Sequence, residues 1–210
     1  MQIVLKRNLA SGLGNVAYRE PSAVLGQQAA IKQLLELSRT DDDEVVFTTS
    51  VALLNLTLSE ADRTTLLQNG SAIFVLFDLT QHGIIEVRQN AATALARLTM
   101  DPTNQVPLVS SSAHVMLKEM FKQSNLAIER ACITGVVNLA SVPGATVADV
   151  VVETPMRLSG DEVLLNSDES LRTLVCEAVL NMTIQGNPLA SADPEGAVVV
   201  ALLLDGELMY

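Results

Sequence analysis

Across residues 87–98, VRQNAATALARL, apolar or small side chains fall at 87, 91, 94, 95 and 98. That is the i, i+4, i+7, i+8 stripe of a helix packed along one side. Residues 130–139 and 171–182 read the same way. The stripe also recurs. Five short segments place one polar residue among apolar neighbours: LGNVA at 13–17, LLNLT at 53–57, LARLT at 95–99, VVNLA at 136–140 and VLNMT at 179–183. Their central residues, Asn15, Asn55, Arg97, Asn138 and Asn181, are spaced by 40, 42, 41 and 43. Stacked helical repeats of roughly 40–47 residues give this period, because each unit must present the same stripe to its neighbours.

Helix punctuation fits the same frame. Ser59 with Asp62 predicts a capping box, and Asp101-Pro102 a cap followed by proline in the first turn. Gly70 lies 15 residues after Asn55 and Gly196 15 after Asn181, each ahead of an apolar helix. A glycine there is expected to permit a sharp bend and close helix approach. Ile31, Leu34 and Leu37 match Ile73, Leu76 and Leu79 at a constant offset of 42. Leu54, Leu95, Val137 and Leu180 are expected to be buried between units. Residues 142–166, interrupted by Pro143-Gly144, Pro155 and Gly160, predict an irregular unit. The expected units are residues 1–17 (partial), 18–57, 58–99, 100–140, 141–183 and 184–210 (partial). With no polar capping repeat at either end, the expectation is one array cut from a longer one.

Composition narrows the function classes. Hydrophobic residues make up 49% of the chain, aromatics 3%, and Trp is absent. The core is therefore aliphatic, and a base-stacking nucleic-acid surface has few rings to draw on. Net charge is −11, unevenly placed. Residues 1–130 hold 11 Lys+Arg against 13 Asp+Glu, whereas residues 131–210 hold Arg157 and Arg172 against 11 acids. A phosphate-binding footprint has the opposite sign. The acidic part reads as a solubilising surface or as a match for a basic partner. Cys132 and Cys176 read as buried reduced thiols, which favours the cytoplasm or nucleus. The longest apolar run, residues 197–204, is too short to span a bilayer.

Catalytic chemistry has little to stand on. His82 falls where a helix should end and His114 near a helix start, neither with a Cys or His at metal-ligand spacing. The run Thr40-Asp41-Asp42-Asp43-Glu44 lacks the alternating ligands of a calcium loop and reads as a loop and helix cap. Gly12, Gly14 and Gly26 have no following Lys-Ser/Thr and form no phosphate loop. No enzyme activity, cofactor or metal is expected.

ALLNLT at 52–57, VVNLAS at 136–141, AVLNMT at 178–183 and EADRTTLLQNG at 60–70 resemble the armadillo-repeat family over essentially the whole chain. The resemblance implies an all-α, armadillo-type α-solenoid: a right-handed superhelix of three-helix repeats whose third helices line a concave groove. It implies a protein–protein interaction scaffold. Asn15, Asn55, Arg97, Asn138 and Asn181 would form the partner-binding groove, holding an extended peptide or a helix. The asparagines could equally brace neighbouring helix ends, since an amide has both donors and an acceptor to satisfy. Arg97 departs from the family's asparagine and suits a carboxylate. Import adaptors of this family place a Trp one turn before the groove asparagine. Here those positions are Ser11, Val51, Thr93, Thr134 and Glu177, which excludes caging of basic signals by that device. The alternatives are a structural component of a cytoskeletal or ciliary assembly, or a regulatory array attached to a catalytic domain. A cytoplasmic protein without a membrane span is expected, with cytoskeletal, ciliary or nuclear placement as variants.

Overall fold

The computed structural model describes residues 2–123 and 125–140, together with 142 and 173. Ten α-helices and no strand are delimited among these residues. A first helix, α1 (Gln2–Arg19), is followed by three triplets. These are α2 (Pro21–Leu25), α3 (Gln28–Leu37) and α4 (Asp43–Asn55); α5 (Glu60–Gln68), α6 (Ser71–Thr80) and α7 (Ile85–Leu98); α8 (Pro102–Ser110), α9 (Ala113–Phe121) and α10 (Leu126–Ala140). The chain forms two compact units, residues 1–104 and 105–210. Most of the expected irregular stretch 142–166, together with Cys176, Leu180, Asn181 and Gly196, lies outside the described residues.

Local chemistry sets the helix starts. Asp42 caps α4, its carboxylate accepting from the Val45 N–H at 3.0 Å, and Asp43 and Glu44 follow in the first turn. Negative charge there complements the helix dipole. The acidic run is thus a cap. Arg7 of α1 donates to Asp42 at 2.9 Å and pairs with Glu44 at 2.6 Å. Its hydrogen bond, aided by the Val45 N–H, holds the Asp42 carboxyl below its usual range. Ser59 caps α5, accepting from the Asp62 N–H at 3.2 Å and donating to its carboxylate. Pro102 opens α8.

In the first unit the long helices α1, α4 and α7 stack side by side. Ala10 and Gly14 of α1 lie against Val45 and Thr48 of α4. Asn90 of α7 donates to Ser50 of α4, and Arg97 reaches the Leu54 carbonyl. Residue number rises together on both sides of each interface, so the three helices run parallel. The shorter helices supply the rest of the core. Ile31, Leu34 and Leu37 of α3 and their offset partners Ile73, Leu76 and Leu79 of α6 are all buried.

Two expectations are corrected. Leu95 and Val137 are buried, but Leu54 is only half-buried. Leu53 and Leu56 carry the α4 core instead. Leu54 matches Gly14, on the side turned toward the next long helix, whereas Leu53 matches Leu95. The bend at Gly70 is real, but glycine is not required for it. Gly70 has φ −48° and ψ −23°, ordinary right-handed values, and a Cβ there would meet nothing within 4 Å.

Candidate functional site

Each long helix of the first unit carries one member of the polar series within its last two turns. Asn15 lies in the penultimate turn of α1, Asn55 is the last residue of α4, and Arg97 is the penultimate residue of α7. Because the helices are parallel neighbours in repeating register, the three side chains follow one another across one end of the stack. Asn15 is exposed; Asn55 and Arg97 are half-buried. Neither Asn15 nor Asn55 makes a side-chain hydrogen bond to a described residue. Arg97 donates to the Leu54 carbonyl at 3.5 Å, a long bond that occupies one of five guanidinium donors. In the second unit, Asn138 is half-buried on α10.

Arg97 differs from Arg7, Arg39 and Arg63. Arg7 pairs with Asp42, Arg39 with Asp78 at 3.1 Å, and Arg63 with Asp101. Arg97 has no carboxylate within ion-pair distance among the described residues. A half-buried guanidinium with spare donors favours an anionic group that can take two parallel hydrogen bonds.

A second row accompanies the polar one, and the sequence reading missed it. Three residues beyond each polar position stand Tyr18, Leu58 and Met100, exposed by 71%, 54% and 51%. The Leu58 N–H donates to the Asn55 carbonyl at 3.3 Å and the Met100 N–H to the Arg97 carbonyl at 3.1 Å. Each apolar side chain is therefore held one turn past its polar partner. The offsets of 40 and 42 applied to Tyr18 would have found the row. Its members differ in chemistry, so no motif flagged it.

An ion pair joins two members of this row. Arg63 of α5 makes bidentate contact with Asp101, at 2.5 and 3.0 Å, and also donates to the Thr57 and Leu58 carbonyls at 3.2 Å each. Asp101 directly follows Met100. The pair thus ties the backbone at Leu58 to the backbone at Met100, with Asp101 4% exposed.

Other candidates resolve into structure. His82 accepts from the Ile84 N–H at 3.2 Å, while Arg88 donates to the His82 and Gly83 carbonyls, closing the turn into α7. Cys132 is buried, and burial pushes its thiol up to about 12, which keeps it protonated and unreactive. A separate cleft of about 480 Å3 lies between α3 and the α5–α6 turn. Its charges are already matched, Lys32 with Glu36 and Arg39 with Asp78. No helix among the described residues is long and apolar enough to cross a membrane.

No family model matches the sequence, and no curated protein does. Solved structures are similar. A designed armadillo repeat protein in complex with the peptide (KR)4 is 17% identical with a TM-score of 0.64, covering 93% of this chain and 90% of that one. A computationally designed armadillo repeat protein for modular peptide recognition is 17% identical with a TM-score of 0.66, over 93% of this chain and 90% of that one. An engineered protein is 20% identical with a TM-score of 0.61, over 95% and 88%. The fold is that of armadillo-type helical repeats.

Proposed function

We propose that this chain is a non-enzymatic scaffold that binds an extended segment of a protein partner across the ends of its long helices. The observation that carries the reading is the double row: polar Asn15, Asn55 and Arg97 beside exposed Tyr18, Leu58 and Met100. Asn15 and Asn55 offer amide donors and acceptors to a peptide backbone whatever its sequence. Arg97 selects a carboxylate, and the apolar row takes side chains pointing the other way from an extended strand. The preferred partner segment is acidic and apolar. Asn138 and Asn181 extend the same series in sequence and are proposed to serve the same partner. The peptide recognition for which one structural neighbour was designed supports the reading. A buried thiol at Cys132 fits a cytoplasmic setting.

The test uses extended peptides of about ten residues with alternating apolar positions, with and without a central Glu. The Glu-bearing peptide should bind tighter. Asn55→Ala combined with Arg97→Ala should weaken it by about tenfold or more, as loss of charged hydrogen bonds implies, with helicity and Tm nearly unchanged. Unchanged affinity would remove this face as the site. Unfolding of the variant would make these residues braces.

A further inference from the structure

Met100 is the member of the apolar row that carries sulfur. Its thioether is apolar, but oxidation converts it reversibly into a polar sulfoxide. An oxidant must first reach the sulfur. Met100 is 51% exposed, whereas Met116 is half-buried and Met120 is 1% exposed. These are the methionines among the described residues.

The turn that carries Met100 is held from both sides. Its own N–H donates to the Arg97 carbonyl at 3.1 Å, and the Thr99 hydroxyl donates to the Ala96 carbonyl at 2.6 Å. Asp101, the next residue, is anchored by Arg63. Met100 therefore stays at the surface one turn beyond Arg97. Arg97 reaches the Leu54 carbonyl only at 3.5 Å and has no carboxylate within ion-pair distance among the described residues. Guanidinium donors are thus left over one turn from the thioether.

We infer that Met100 is a redox modification site whose oxidation turns the binding face off. The inference rests on the peptide-binding reading of that face. In the step, the Met100 sulfur attacks one oxygen of hydrogen peroxide with a lone pair. The S–O bond forms and the O–O bond breaks. The leaving hydroxide takes the proton of the transferred hydroxyl and becomes water. The thioether is oxidised to the sulfoxide, and the peroxide is reduced. Two consequences act in the same direction. The apolar row loses a member, because the sulfoxide is polar. The new oxygen is also an acceptor three residues from Arg97, a separation at which side chains meet. It takes up the donors that a partner carboxylate would use.

Peptide binding to the 210-residue chain, before and after peroxide treatment, tests it. Mass spectrometry of the digested chain should show Met100 oxidised ahead of Met116 and Met120. Once Met100 is converted, the Kd for the Glu-bearing apolar peptide should rise by about tenfold or more, with the circular dichroism spectrum unchanged. The peptide without Glu should lose about threefold less, since only the apolar contact is taken from it. Methionine sulfoxide reductases for both sulfoxide epimers should restore the original Kd. In Met100→Leu, whatever its own affinity, the same treatment should change the Kd by less than about twofold, which separates Met100 from the other methionines of the chain. Binding that survives conversion of Met100, a loss that persists in Met100→Leu, or equal losses for the two peptides would overturn the inference and leave the face a binding site. So would a Met100 that resists peroxide while Met120 reacts. No binding by the untreated chain would overturn the reading of the face, and this inference with it.

Discussion

Leu53 and Leu54 are adjacent leucines on α4 with different surroundings. Leu53 is fully buried at the position that Leu95 fills on α7, while Leu54 is half-buried where α4 faces the next long helix and its carbonyl meets Arg97. A buried leucine loses its transfer energy and leaves a cavity when truncated. Leu53→Ala should therefore lower stability by about 2–5 kcal/mol in urea unfolding. Leu54→Ala should cost about 1 kcal/mol, since much of its side chain already touches water. Equal losses would contradict the register.

At the scale of elements, the long helices are fastened by charge as well as by packing. Arg63–Asp101 is the most enclosed of the ion pairs described, and it also satisfies two carbonyls that follow α4. Arg63→Ala leaves the buried Asp101 carboxylate, among the described residues, with only the long hydrogen bond from Asn104 at 3.4 Å. The expected loss is about 3–5 kcal/mol by thermal or urea unfolding, because an enclosed charge is left without its partner. A loss below about 1 kcal/mol would place the pair among solvent-screened surface bridges. The helices themselves were legible in the sequence, since every repeat must present the same stripe, and stripes recur at 40–43. The ion pair was not. Arg63 and Asp101 occur once, 38 residues apart, and nothing local links them. The leucine register was hidden for another reason. Residues 51–54 of α4 are all apolar, so periodicity alone cannot say which one points inward. Half of the candidate site was legible as the recurring asparagine. The other half, Tyr18, Leu58 and Met100, shares burial state and position but not residue type.

Over the whole molecule, charge gives the proposed binding face a rival. Residues 131–210 carry two basic against 11 acidic residues, and such an excess of negative charge attracts basic partners, whereas Arg97 favours acidic ones. The two readings predict opposite ligand chemistry and different footprints. Hydrogen exchange read by mass spectrometry, on the full chain with and without the Glu-bearing apolar peptide, separates them most directly. The scaffold reading predicts protection concentrated at the ends of α1, α4 and α7 and the turns after α4 and α7, including residues 55–58 and 97–100. Protection confined to the cleft between α3 and the α5–α6 turn, or to residues 131–210, would contradict it.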